Sequence, residues 1–382
     1  MTSTAALATG VSARDNKLRQ PYRRNSSSSV DSDSSSETPI SYATDPDRPP
    51  GQPTPRTTKQ KVDRRPPSTF YLKRWRDQTW AERICNLATC PASMHELKDE
   101  GMDRGMPPVQ PIWRENLFIL SRALIPILLH QGALWAFPNY QWPFYVIYPF
   151  YFLAFVGFAI EMVHRMSDYS IKFGTFDEKQ IGRDRTPDKS VNHLAVGILA
   201  YMFVRTAFCF YLQFDKQAQP LFSFTWSYPL RLAAWEIALD YFFYVYHRAS
   251  HEVDSLWFIH QHHHTTKHPT AILSILAEEW QELLEVFLVP LAATLLVPMT
   301  FSEGYMTLVY TIYVEMMGHS GVRAHWCHPV LWPLEYLGMG LAVEDHDLHH
   351  RFGKSGKNYG KQSRVWDRIF GTCAERIETF GM

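Results

Sequence analysis

Residues 246–264 read Tyr-His-Arg-Ala-Ser-His-Glu-Val-Asp-Ser-Leu-Trp-Phe-Ile-His-Gln-His-His-His and close a long apolar run that begins near Phe222. His247 and His251 stand four residues apart, which on a helix places both on one face. After eight intervening residues, His260, His263 and His264 occupy i, i+3 and i+4, and the spacing predicts a second helical face of imidazoles. The same pattern returns near the C-terminus as His346-Asp347-Leu348-His349-His350. Of the 17 histidines, 13 lie between His247 and His350, where uniform scatter would place roughly 4 or 5. Neutral imidazole has one donor and one acceptor, so burying eight of them without partners is costly, whereas each is a strong ligand for iron, zinc or copper. Eight exceed the roughly four to six positions around one ion, so two metal ions are implied.

Upstream of this stretch the chain is apolar enough to enter a bilayer. Four segments, from about Asn116 to Phe137, Trp142 to Val163, His193 to Leu212 and Phe222 to Tyr246, each reach the roughly 20 residues that a helix needs to cross a hydrocarbon core of about 30 Å. Short links at Pro138–Gln141 and Asp215–Pro220 make them two hairpins, so the fold class is all-α and integral to a membrane. The loop of residues 164–190 carries Arg165, Lys172, Lys179, Arg183, Arg185 and Lys189, whereas the two hairpin turns hold Lys216 alone. The positive-inside bias then puts the loop, both chain ends and His247 on the cytosolic side.

A further apolar unit runs from about Leu283 to Phe301 and from Tyr305 to Gly318, with Ser302-Glu303-Gly304 as its turn. Its second limb, about 14 residues by this reading, predicts a re-entrant or shallow hairpin. Since such a unit returns the chain to the side it left, His319 becomes a ninth candidate ligand. His325 and His328 stay open between a tenth ligand and a surface position. His262 and His268 fall off the imidazole face, and His95, His130, His164 and His193 are isolated. By helical phase Asp240 and Tyr244 share the face of His247 and His251, so Asp240 is expected to accept an imidazole N–H, and Glu236 lies one turn deeper. Trp226, Tyr228, Trp235, Tyr241 and Phe242 are candidates to line a tunnel from the bilayer.

Elsewhere the sequence excludes more than it proposes. Lys+Arg and Asp+Glu number 38 each, so no basic excess advertises nucleic acid. Five scattered cysteines form no metal-type or redox-type pair. Residues 1–68, rich in Ser and Pro and poor in apolar side chains, are expected to be a disordered cytosolic tail without the hydrophobic stretch of a signal peptide. Residues 69–112 mix Phe70, Tyr71, Trp75 and Trp80 with Lys73, Arg74, Arg76 and Arg83, the composition of an amphipathic interfacial segment. Residues 113–382 are expected to form the membrane catalytic domain.

The order HxxxH, a gap of eight, HxxHH, a long apolar insertion, Gly318-His319-Ser320-Gly321 and a final HxxHH resembles the fatty acid hydroxylase/sterol desaturase superfamily. Asn358-Tyr359-Gly360 and Val365-Trp366-Asp367-Arg368-Ile369-Phe370-Gly371-Thr372 look like that family's closing signature, and the likeness covers about residues 115–375. The resemblance implies an endoplasmic-reticulum enzyme whose four transmembrane helices lie under a cytosolic helical cap holding a dimetal site. It also implies two non-haem iron ions bound by His247, His251, His260, His263, His264, His319, His346, His349 and His350, with dioxygen as oxidant. Electrons would come from NAD(P)H through a reductase and a b-type cytochrome. The reaction implied is hydroxylation, oxidation or desaturation of a lipid that is sterol-like, sphingoid, fatty-acyl or terpenoid. The different-class alternative, a zinc-binding transporter or scaffold, would need ionisable ligands near mid-span, whereas these histidines sit beyond the span ends.

Overall fold

The computed structural model describes residues 67–88, 105–176 and 183–379. The expected disordered tail therefore lies outside the described residues except for Pro67 and Ser68, as does the part of the interfacial segment from 89 to 104. The chain is all-helical, and among the described residues only two isolated bridges, Val109 to His325 and Thr175 to Val322, have β geometry.

Two short 3₁₀ turns lead into α1 (Trp80–Ala88). Thr79 and Glu82 cap it reciprocally, with Thr79 N donating to Glu82 Oε2 at 2.7 Å and Glu82 N to Thr79 Oγ1 at 3.3 Å. Ala81, Cys85 and Ala88 face inward while Trp80 and Leu87 face out. Next come α2 (Ile112–Ala136), α3 (Phe144–Phe173) and α4 (Val191–Gln213). These three are long and apolar enough to cross a membrane, α4 together with the 3₁₀ turn before it. Their outer faces expose Leu117, Leu129, Leu153, Val196 and Phe203, side chains that hydrocarbon accommodates and water does not.

The fourth expected span, α5 (Tyr228–Glu252), is also long enough, but charged residues such as Arg231, Glu236 and Asp240 keep it out of that class, so among the described residues three helices qualify rather than four. Its acids point inward: Glu236 accepts from the Thr311 hydroxyl at 3.1 Å, and Asp240 accepts two backbone N–H groups. Beyond it, α6 (Glu279–Glu282) runs through a π-helical turn at Leu283–Leu288 into α7 (Val289–Leu296).

α8 (Phe301–His319) departs from the expected shallow hairpin. Ser302-Glu303-Gly304 is not a turn but the first turn of a 19-residue helix capped by Thr300, whose Oγ1 accepts from Glu303 N while Glu303 Oε2 accepts from Thr300 N. All of its side chains are buried, so α8 is the central post of the bundle. At about 1.5 Å per residue it is nearly as long as a hydrocarbon core is thick. Two bonds tie its start to the α4–α5 connection, Ser302 donating to Pro220 O at 2.7 Å and Thr225 to Glu303 Oε1 at 2.7 Å, and Gln131 of α2 joins the same connection by donating to Gln219 Oε1 at 2.5 Å. Turns therefore occupy one end of the bundle and histidines the other. Finally, α9 (Val343–Phe352) carries the last histidine box, and α10 (Val365–Phe370) ends the fold.

Candidate metal centre

The three boxes arrive on different supports. His247 and His251 ride the last two turns of α5, and His346, His349 and His350 ride α9. The middle box differs from the expected helical face: His260 ends one 3₁₀ turn (Asp254–Ile259) and His263 begins another (His263–Thr265). Across the junction His264 N donates to His260 O at 3.4 Å, an i to i+4 turn that keeps those two imidazoles together and leaves His263 to a different set of neighbours.

All nine candidate histidines are at most 4% exposed, and they sort into two groups. His247, His251, His260, His264 and His349 form one, and His263, His319, His346 and His350 the other; within each, one ligand atom per residue lies within 4.8 Å of all the rest. The groups adjoin, with the rings of His264 and His350 4.8 Å apart between centroids.

Their hydrogen bonds fix which nitrogen faces inward. Nδ1 of His247 contacts Tyr359 O at 2.8 Å, His251 Lys354 O at 3.1 Å, His263 Leu276 O at 3.1 Å, His319 Glu315 O at 2.8 Å, His349 Lys357 O at 2.8 Å and His350 Thr266 O at 3.0 Å. A backbone carbonyl only accepts, so each Nδ1 carries the proton and each Nε2 presents a lone pair. His260 Nδ1 makes the equivalent bond to Gln281 Oε1 at 2.9 Å.

Those lone pairs then meet head-on. His247 Nε2 lies 2.9 Å from His260 Nε2, His263 Nε2 3.2 Å from His319 Nε2, and His346 Nε2 2.9 Å from His319 Nε2. His349 Nε2 and His350 Nε2 are buried with no hydrogen-bond partner. A proton is not available to bridge them: burial, then neighbouring imidazoles, hold His260, His264, His346, His349 and His350 well below the ordinary imidazole range, and burial brings His263 down to about 4. Converging unprotonated nitrogens in a buried site need a cation, and the donor set fits a metal ion in each group.

Asp240 does not take an imidazole N–H. It accepts from Lys361 N at 2.7 Å, Gln362 N at 2.8 Å and the Ser363 hydroxyl at 2.6 Å, and so holds the strand of chain whose Tyr359 carbonyl anchors His247. Tyr244 turns away from the imidazoles, bonding Thr372 Oγ1 at 3.1 Å and stacking on Phe370. Asp345 pairs with Arg376 at 2.6 Å, and Asp347 with Arg183, anchoring α9. His262 leaves the groups for Glu278 at 2.9 Å, and His328 accepts from Val330 N and Leu331 N while its other nitrogen meets Gln362. Neither His268 nor His325 belongs to either group. The fourth-span aromatics do not share a cavity: Trp226 is 92% exposed, whereas Trp235 is buried and donates to Thr294.

Sequence reasoning missed what holds the anchors. Asp367 accepts from Tyr359 N at 2.9 Å, Gly360 N at 2.7 Å and the Thr372 hydroxyl at 2.6 Å, while Asn358, at φ 62°, donates to Asp345 O at 3.0 Å. The closing signature is thus a turn that presents carbonyls to His247 and His349. Also missed was a buried network beside the first group: Gln281 donates to Glu285 at 2.7 Å, Lys361 bridges Glu285 at 2.8 Å and Glu315 at 3.8 Å, and Arg205 donates to Glu315 at 3.1 Å. Arg205, a charge within apolar α4, was the available signal.

An all-helical membrane protein with two adjoining histidine groups, each able to hold a metal ion, is the class that fold and site define. Known proteins narrow it. A profile for fatty acid hydroxylases matches residues 232–372. The fatty acid hydroxylase vlmA of Lecanicillium sp is 34% identical over 336 residues, covering 81% of this chain and 88% of that protein. Alkylglycerol monooxygenase of Homo sapiens is 27% identical over 161 residues, 40% of this chain and 32% of that protein, and that of Danio rerio is 28% identical over 147 residues, 36% and 29%. No solved structure matches. The chain belongs to the fatty acid hydroxylase family, within the superfamily that its histidine boxes resemble.

Proposed function

We propose that this protein is a dioxygen-dependent lipid monooxygenase that hydroxylates a C–H bond, with two non-haem iron ions held by the nine histidines. The observation that carries the reading is the set of anchored Nδ1–H groups that aims unprotonated Nε2 atoms into two adjoining groups. The fatty acid hydroxylase vlmA and the alkylglycerol monooxygenases, a hydroxylase and monooxygenases by name, support the reaction class. A bound iron pair would supply the reduction of dioxygen and the removal of hydrogen from an unactivated carbon, which no side chain can do. The net change inserts one oxygen atom into C–H and releases the other as water, consuming two electrons and two protons. In this reading the protein's own part is positional: carbonyls of residues 354–359 and 266–276 hold the imidazoles, and burial keeps bulk water from the site.

For the lipid, a groove lined only by apolar side chains opens between α1, α3, α4 and α8, including Ile84, Val156, Ile198, Ile275 and Met316. Met316 lies one turn before His319, and Ile275 precedes the Leu276 whose carbonyl anchors His263. This favours a long alkyl chain as the part of the substrate that binds. We place the protein in the endoplasmic-reticulum membrane with α5 as a fourth crossing, the cap and histidine end cytosolic, α1 at the interface, and electrons from NAD(P)H through a reductase and a b-type cytochrome. Arg165 and Lys172 in the C-terminal part of α3, and Arg183, Arg185 and Lys189 between α3 and α4, support that orientation.

The test is anaerobic purification with metal analysis, followed by lipid profiling of cells with and without the chain. Two iron ions per chain and an oxygen-dependent hydroxylated lipid are expected; a single zinc ion with no oxygen-dependent product overturns the reading.

A further inference from the structure

His325 leaves the two histidine groups but does not stand alone. We propose that His325, Cys327 and Glu335 form a third and separate metal site, one that takes a zinc-class divalent cation and clips the loop between α8 and α9.

Each of the three offers one ligand atom, and these atoms lie within 4.8 Å of one another although 335 is ten residues beyond 325. His325 is only 6% exposed; its Nε2 lies 3.9 Å from Cys327 Sγ, and its Nδ1 has no hydrogen-bond partner. Glu335 Oε1 is buried and likewise unpartnered. A buried carboxylate oxygen without a donor costs kilocalories unless something positive meets it. The neighbouring cations are engaged elsewhere: Arg376 grips Asp345 at 2.6 Å, with Arg364 at 3.5 Å from the same carboxylate. Space for the carboxylate is reserved, because a side chain added at Gly340 would collide with it.

The donor set selects the ion. One imidazole, one thiol sulfur and one carboxylate oxygen form a mixed nitrogen, sulfur and oxygen set that suits zinc far better than magnesium or calcium. Binding releases the Cys327 thiol proton to solvent, and the resulting thiolate with the Glu335 carboxylate balances a dication, so the half-buried site carries no net charge. Three protein ligands leave one tetrahedral position for water.

The site has a structural purpose that the rest of the loop shows. His325 is pinned by its backbone, donating to Pro108 O at 3.0 Å and accepting from Gln110 N at 2.9 Å. Glu335 sits in the 3₁₀ turn Trp332–Leu337, whose Trp332, Tyr336 and Leu337 are exposed. An ion shared by 325, 327 and 335 ties that apolar turn to the pinned segment.

Cobalt(II) distinguishes this site from the histidine groups, because a thiolate ligand gives a near-ultraviolet sulfur-to-cobalt charge-transfer band and imidazoles alone do not. Metal-free full-length protein titrated with cobalt(II) should develop that band, and its intensity should saturate at one thiolate-bound cobalt per chain within the three equivalents that fill all the sites. It should persist in His349→Ala and vanish in Cys327→Ser, and His325→Gln or Glu335→Gln should weaken binding by roughly 10–100-fold or more. No band in the unaltered chain, or a band that survives Cys327→Ser, overturns the proposal. Should Cys327→Ser fail to fold, alkylation of the unaltered chain decides: zinc must slow modification of the Cys327 peptide by iodoacetamide, and unchanged modification overturns the site.

Discussion

The second and third histidine boxes share one spacing, H-x-x-H-H, yet they divide their side chains in opposite senses. In the second, His260 and His264 enter the group of five and His263 crosses to the group of four; in the third, His346 and His350 enter the group of four and His349 crosses to the group of five. Each box therefore gives an i, i+4 pair to one group and its i+3 member to the other. His247 and His251, a further i, i+4 pair, complete the five, and His319 completes the four. The crossing residues explain why the two groups adjoin: neither box can be placed without building both. The anchors differ as well. The group of five leans on carbonyls of Lys354, Lys357 and Tyr359, the group of four on Thr266, Leu276 and Glu315.

The largest effects should come from neighbours with opposite allegiance. His263→Ala and His264→Ala are each expected to abolish lipid hydroxylation while leaving membrane insertion intact. Iron analysis with Mössbauer spectroscopy should show each variant short of one ion, and a different one. Depletion of the same ion by both would break the reciprocal arrangement.

Next in size is Gly360→Ala. A Cβ there would collide with Ser363 O and lie 3.0 Å from Asp367 Oδ2, so the turn must move and carry the Tyr359 carbonyl away from His247. Loss of such outer support costs roughly 10–100-fold in metal affinity. The shortfall should fall on the group of five while the group of four keeps its ion; equal loss from both would mean that the anchors are not separate. A smaller effect, about tenfold in affinity at the low end of that range, is expected for Gln281→Leu, which removes the acceptor of His260 Nδ1–H. Gln281→Glu keeps an acceptor and should retain the metal content, measured the same way.

Much of this was legible because it depends on spacing and apolar length. Long unbroken apolar runs define α2 to α4, and i, i+4 histidines converge whether their support is α5 or α9. The 3₁₀ geometry flanking the middle box was not legible, but the i to i+4 turn from His260 to His264 between the two 3₁₀ stretches keeps that pair together as a helix would. α8 was misread for a local reason. Ser302-Glu303-Gly304 has turn composition, yet Thr300 and Glu303 stand in capping-box register, a signal of a helix start rather than a chain reversal. Asp240 shares a face with the histidines but is spent on residues 361–363, because a partner 121 residues away in sequence leaves no trace in helical phase. The pairing of Cys327 with His325 and Glu335 escaped for a similar reason: no two cysteines are involved, so cysteine spacing carries no mark of it.

The smallest expected effect bears on the same box at its i+2 position. His262 lies between two members of the group of five and one of the group of four in sequence, so a purely compositional view of a histidine-rich loop would count it as a ligand. The geometry gives it another role: its Nδ1 faces Glu278 at 2.9 Å, with both side chains about a third exposed. A polar contact so open to solvent contributes about 0–1 kcal/mol. His262→Ala should therefore keep both ions and full turnover, with thermal stability lowered by no more than that amount. Loss of an ion from this variant would show that proximity in sequence, rather than the i, i+3 and i+4 positions, decides which imidazoles bind, and the reciprocal division of the two boxes would lose its basis.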